Sequence, residues 1–293
     1  WVYLVLVPII GLGLLGAKLF LSETTERSTD KPLDLLGVLM GSGTVFLLVL
    51  ATLQGRSWGW LSIYTLGCFG FAATLLPLFI FRSSRHSEPL FDPALFRIRS
   101  FTVSNIAVTF AMVGAFTSWF LWPLFLTEVW QYSKAQVGLA FTPSPVLSAF
   151  VAVFGGRWAD RHGFRGIMAL AAVVATVGFF WLYLFMGEEP DFLFAFFPAS
   201  LMFGFGMGIL ASQLNSAALR DIPPEATATA NGIHQSLRYA IGGMGAATAI
   251  TILNGSHSVA RYDVMWGLLG VLMLLVAPLM LFAYPKHATL VDN

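Results

Sequence analysis

The sequence predicts an all-α, polytopic membrane protein, and three observations carry the prediction. Hydrophobic residues make up 57% of the 293 and charged residues only 11%, where a soluble domain carries about 25% charged. Nine runs are each long and apolar enough for a membrane-spanning helix, which needs about 20 mostly apolar residues. The few basic residues gather in alternate connections between these runs, the asymmetry that sets orientation in a bilayer. No period-two alternation recurs over neighbouring segments, so nothing points to a β-barrel. A net charge of +1 gives no basis for a nucleic-acid partner.

The first run covers residues 1–21. It opens on Trp1 and lacks the basic start and small-residue cleavage site of a signal peptide, so the chain is expected to begin inside a longer protein. A polar connection of mixed charge follows (22–34, containing SETTERSTDKP). Two spans, 35–53 and 60–81, are joined by QGRSWGW. The lone Cys68 lies in the second and reads as a small buried hydrophobe; one cysteine makes neither a disulfide nor a thiolate metal cluster, and no metal site is expected. The connection 82–100, RSSRHSEPLFDPALFRIRS, is longer and holds two prolines. Six spans with short links come next: 101–126, 135–156, 166–186, 191–212, 228–253 and 263–284. PSP (143–145) predicts a kink in the second of these six. GFGMG (204–208) has a nucleotide fingerprint's spacing, but with no preceding strand it reads as close helix packing. The organisation is therefore one terminal helix of an earlier bundle (1–21), a loop (22–34), a two-helix insert (35–81), a second loop (82–100), a six-helix bundle (101–284) and a tail (285–293).

One set of connections holds Lys18, Arg27, Lys31, Arg82, Arg85, Arg97, Arg99, Arg157, Arg161, Arg165, Arg220 and Lys286, and the other only Arg56, Lys134 and Arg261. That is twelve against three, so the first set is expected in the cytoplasm, with the C-terminus inside; the membrane expected for the function read below is the inner one. The opposite side carries the acidic GEEPD (187–191) and a cluster of Trp58, Trp60, Trp130, Tyr132, Trp181, Tyr262 and Trp266. These rings read as an interfacial belt.

Charge concentrates in FGGRWADRHGFRG (154–166), between two apolar runs. This stretch resembles the loop signature of the major facilitator superfamily, roughly G-x-L-A-D-R-x-G-R-[KR]-x-x-[LM]. Gly156, Ala159, Asp160, Arg161, Gly163, Arg165 and Met168 match, while Trp158 replaces the usual Leu and Phe164 the first late basic residue. Local stretches are similar to one branch, the fourteen-span drug:proton antiporter family (QacA/EmrB-like). They are WVYLVLVPIIGLG, KPLDLLG followed by LQGRSWGW, PLFDPALFRIRSFTVSN, LTEVWQYSKAQVGLAFTPSP and DIPPEATATANGIHQSLRYAIGG. The resemblance covers essentially the whole chain and maps it onto spans six to fourteen, leaving the first five spans outside it.

That resemblance implies a major facilitator bundle with nine of its transmembrane helices present. It also implies a cytoplasmic latch made by Gly156, Asp160, Arg161, Gly163 and Arg165. In that role Asp160 can accept hydrogen bonds from a helix N-terminus, and Arg161 and Arg165 can pair with it or with lipid phosphates. The glycines permit the tight turn. The positive-inside rule alone would also account for the arginines, but not for Asp160 or the glycine placement.

A second constellation lies in 228–253. Asn231, Gln235, Arg238, Gly242 and Gly245 are spaced by three and four and share one helical face. Arg238 falls ~16 Å past Thr227, near the middle of a ~30 Å core. An arginine there either lines a water-filled cavity or makes a structural pairing. His234, one step round the helix, suits a proton relay or a hydrogen-bonded structural role. In 101–126, Asn105, Thr109, Phe110, Phe116, Trp119 and Trp122 give a polar start followed by large rings. Such a surface suits flat lipophilic cations; an aromatic stripe packed on neighbours or lipid is the other reading. No Asp or Glu lies deep in any span, Asp34 and Glu128 being at helix ends, so a coupling carboxylate and a counter-charge for Arg238 are expected in the missing five spans.

The expected function is secondary active export of lipophilic or cationic drugs, or related amphiphiles, driven by proton entry. It needs no cofactor beyond the proton gradient and makes no covalent change to the substrate. Its partners are the substrate, protons, the lipid bilayer and the missing spans, with room for a periplasmic adaptor. A same-fold transporter of one metabolite, siderophore, peptide or lipid is the alternative. A membrane enzyme would need a motif such as H-E-x-x-H, paired carboxylates or a Ser/His/Asp set, and a transport-dead sensor a soluble extension; neither is in the sequence.

Overall fold

The computed structural model describes residues 4, 6–20, 34–85, 91–253 and 258–286, and among them all regular structure is helical. The loop 22–33, residues 86–90 of the second loop and residues 287–293 of the tail lie outside the described residues. Residues 1–33 form one compact unit and residues 34–293 another. The first unit contributes α1 (Leu6–Phe20), 15 residues with Leu12, Leu14, Leu19 and Phe20 exposed.

The second unit holds α2 (Leu35–Trp58), α3 (Ile63–Ser83), α4 (Arg99–Glu128), α5 (Lys134–Phe141), α6 (Pro143–His162), α7 (Phe164–Phe185), α8 (Phe197–Leu219), α9 (Thr227–Leu253) and α10 (Val259–Pro278). Single π-helical turns precede α8 (Phe192–Phe196) and follow α10 (Leu279–Ala283). Each predicted span of 35–284 is therefore a helix or a helix pair. Among the described residues seven segments are long and apolar enough to cross a membrane. α9 has the length but stands outside that class, because Asn231, His234, Gln235 and Arg238 interrupt it; α1 is too short.

The helices outrun the apolar runs that announce them. The charged stretch 154–166, expected as a loop, is the end of α6 and the start of α7, joined at Gly163 alone. Arg157, Asp160 and Arg161 continue α6 into its last turns, where Arg161 and His162 suit the helix dipole and Asp160 does not. Gly163 makes the turn with φ +81°, a conformation open to glycine and strained for other residues. The predicted kink at PSP is a break at Thr142, with Pro143 at the first position of α6.

α8 is the pivot of the packing. A Cβ on Gly204 or Gly208 would strike the Ser144 or Ser148 carbonyl of α6, and one on Gly206 would strike the Ala171 carbonyl of α7. The GFGMG stretch thus admits two neighbours at backbone distance. α9 lies along α4, with Gly242 against Phe116 and Gly245 against Val113. The insert α2–α3 docks on α9, where Thr251 Oγ1 donates to Thr52 O at 3.2 Å. At the base of the insert Asp34 accepts from Gly37 N (2.9 Å) and pairs with Arg82 (2.6 Å).

The aromatic belt needs correction. Trp58 and Trp60 are exposed, but Trp130, Tyr262 and Trp266 are buried in the core. The end of α4 packs on the start of α10, bringing the Phe125 and Tyr262 rings to 4.9 Å, so these side chains serve helix packing rather than the bilayer interface.

Candidate functional site

Three features bear on function. The first is the signature turn at the basic end of the bundle. Gly163 closes α6 by donating to Ala159 O at 2.8 Å, and Gly156 faces the Gln213 amide of α8. Arg165, expected to pair with Asp160 or a lipid phosphate, instead donates to the Tyr284 carbonyl at 2.6 Å. Arg99, at the head of α4, donates to the next carbonyl back, Ala283 O, at 2.7 Å. Two cations thus close the carbonyl end of the turn that follows α10, where the dipole favours positive charge. Tyr284 completes the clamp by donating to Ala217 O of α8 at 3.0 Å. Asp160 and Arg161 are exposed and have no hydrogen bond or ion pair among the described residues. The motif therefore divides into a turn (Gly163), an internal clamp (Arg165) and two free charges.

The second feature is a polar cluster between α4 and α9. His234 is wholly buried and its Nδ1 lies 3.1 Å from Asn105 Oδ1. Asn105 Nδ2 donates to Phe101 O at 2.8 Å, which leaves Oδ1 as acceptor and makes His234 Nδ1–H the donor. His234 Nε2, Asn231 Oδ1, Gln235 Oε1 and Arg238 Nε are buried without a partner. Arg238 reaches across to α8, its Nη1 3.5 Å from Ala211 O. Thr109 stays apart, its hydroxyl donating to Asn105 O in its own helix at 2.9 Å.

The third is a cavity of about 440 Å³ lined by Trp119, Pro123, Phe141, Ser144, Pro145, Ser148, Phe203, Gly204 and Met207. It opens between α4, α5–α6 and α8. Trp119 walls it, but Trp122 is corrected: only 1% exposed, it packs on Phe141, Phe196 and Phe203, with centroids at 5.6, 5.2 and 4.8 Å. Phe110 is half-buried against the core. The sequence reading missed Ser144, Ser148 and Met207 as lining residues, though the PSP break and GFGMG mark the two helix faces concerned. It missed Tyr239 too, whose ring meets Phe116 edge-on at 6.0 Å.

A helical bundle of span-length segments, holding a mid-span arginine beside an apolar cavity, defines a multi-pass membrane protein. Its family follows from the whole sequence: the chain belongs to the Major Facilitator Superfamily, whose sequence profile matches residues 23–247 and again 104–292. It is similar to the lincomycin resistance protein LmrB of Listeria monocytogenes, 25% identical over 257 residues, 88% of this chain and 54% of the relative. It is also similar to the riboflavin transporter RibZ of Clostridioides difficile, 28% identical over 212 residues, 72% of this chain and 44% of the relative. The multidrug export protein EmrB of Escherichia coli is 23% identical over 262 residues, 88% of this chain and 50% of the relative. The chain spans about half the length of the curated relatives it matches.

Proposed function

We propose that the protein carrying this chain is a secondary active exporter that moves lipophilic drugs or related amphiphiles outward across the inner membrane in exchange for protons. The observation that carries the reading is Arg238. It stands mid-span, its Nε buried without a partner, and reaches α8 one turn from a ring-walled cavity. A cation held in a membrane interior marks a substrate or ion path, and an apolar cavity with few polar groups suits a lipophilic ligand. The relatives named for lincomycin resistance and multidrug export support the same class.

In this reading the basic end faces the cytoplasm. Asp160 and Arg161, free of partners within the bundle, serve as the latch by engaging the remainder of the protein when the transporter faces outward. The proton-coupling carboxylate belongs to the length that the relatives have and this chain does not span. Transport leaves the substrate covalently unchanged and draws only on the proton gradient. The relative named for riboflavin transport supports a second reading, a carrier for one ring-bearing metabolite.

The test uses the complete protein in inside-out vesicles with an imposed acid-inside gradient and a panel of lipophilic fluorophores, ethidium among them. Uptake is expected to collapse with an uncoupler and to be lost in Arg238→Ala. No gradient-driven uptake of any fluorophore would overturn the multidrug reading, and uptake of riboflavin-like compounds alone would replace it by the second.

A further inference from the structure

Arg238 has no counter-charge among the described residues. It sits in the eighth of the predicted spans; its sole hydrogen bond is the 3.5 Å contact to Ala211 O, and no carboxylate among the described residues lies within ion-pair distance of it. Arg238 is half-buried, with its Nε shut away from water, and a guanidinium so placed is costly until an anion or ordered water meets it. Asn231 Oδ1, Gln235 Oε1 and Nε2 of the wholly buried His234 also lack partners; all three are acceptors, so Arg238 is the donor of this patch and an anionic head would meet it on the guanidinium alone.

Two paths connect this polar patch to the cavity. Along α8, Ala211 stands one turn beyond Met207, which lines the cavity, and a turn advances ~5.4 Å. Along the rings, the guanidinium carbon lies 6.0 Å from the Tyr239 centroid, Tyr239 6.0 Å from Phe116, and Phe116 5.2 Å from Trp119. The cavity wall itself carries rings, aliphatic groups and the Ser144 and Ser148 positions, and no charge.

We infer that this bundle takes an anionic amphiphile, with its ring-bearing or aliphatic body in the Trp119 cavity and its carboxylate, sulfonate or phosphate head on Arg238. The inference rests on the transporter reading above and reverses the charge that the aromatic residues alone suggest. The planar guanidinium can grip such a head through two parallel hydrogen bonds. A lipophilic cation in the same cavity would lie within about a turn of Arg238, with no compensating carboxylate among the described residues.

Three probes sharing one body test this: pyrenebutyrate, pyrenebutanol and a pyrenebutyl-trimethylammonium salt, titrated by fluorescence into the complete detergent-purified protein without a gradient. The anion is expected to bind at least about tenfold tighter than the cation, with the neutral probe between. Arg238→Gln should weaken the anion about tenfold while moving the neutral probe less than about threefold. Arg238→Lys, which keeps the charge but loses the two-bond grip, should keep only part of the preference, and Trp119→Ala should weaken all three alike. Equal binding of anion and cation by the wild type, no binding of any probe, or an unchanged anion-to-neutral ratio in Arg238→Gln would each overturn the inference. The wild-type order stands as a test even if a variant fails to fold. Competition by phosphatidylglycerol would support the inference with a lipid as source of the anion, and its absence, with the order kept, a soluble amphiphile. Preserved order without gradient-driven uptake would defeat the export reading alone.

Discussion

Trp119 and Trp122 are three residues apart on α4 and have opposite environments. Trp119 is 53% exposed at the cavity and Trp122 only 1% exposed inside the core. Trp122→Ala is therefore expected to cost about 3–5 kcal/mol of stability through the void it leaves, whereas Trp119→Ala should stay within about 1 kcal/mol. Thermal unfolding in detergent measures both, and equal losses would contradict the assignment. The sequence could not separate the two. In a lipid-embedded helix both faces are apolar, so periodicity does not say which ring turns inward. Polar residues are the legible ones there. Asn231, His234, Gln235 and Arg238 stand out in an apolar chain because each is expensive in a membrane. Their partners are not legible: Asn105 lies 129 residues before His234, and Ala211 joins Arg238 only through its backbone.

Helices were legible in type and place, but not in their ends or in the break that divides the predicted span 135–156 into α5 and α6. Charge in 154–166 reads as loop, yet α6 carries it to His162, because a helix can run past the apolar layer into polar surroundings. Gly163 was legible within the motif as a turn residue, and its φ of +81° bears that out. The clamp on Tyr284 was not, since Arg165 binds a carbonyl and no side-chain pattern announces it. The GFGMG stretch of α8 gives a sharper element-scale test. Gly208→Val would drive a side chain into the Ser148 carbonyl and should cost several kcal/mol or prevent folding. Gly232→Ala on α9, with nothing within 4 Å of the added carbon, should be tolerated and should gain up to about 1 kcal/mol from helix propensity. Size-exclusion profiles and melting temperatures report both. Similar behaviour of the two variants would refute the packing described for α8.

For the whole molecule, composition and segment length were enough to give the class, because the bilayer imposes a fixed span and satisfies no backbone polar group. The insert's seat on α9 was not legible, as it depends on a Thr251–Thr52 contact between distant segments. Nor was the burial of Tyr262 and Trp266, since amphipathic rings near helix ends serve a belt or a core equally well. On the proposed function, Trp119 and the α6 face opposite it line a water-accessible cavity that substrate occupies. Thiol labelling checks this most directly, using Trp119→Cys, Ser148→Cys and Trp122→Cys, each in a Cys68→Ser background of the complete protein, with a membrane-impermeant methanethiosulfonate. Positions 119 and 148 are expected to react and to be protected by a lipophilic substrate, while position 122 stays inert. Reaction at 122 with 119 and 148 silent, or reaction at 119 and 148 unaffected by any substrate, would contradict it.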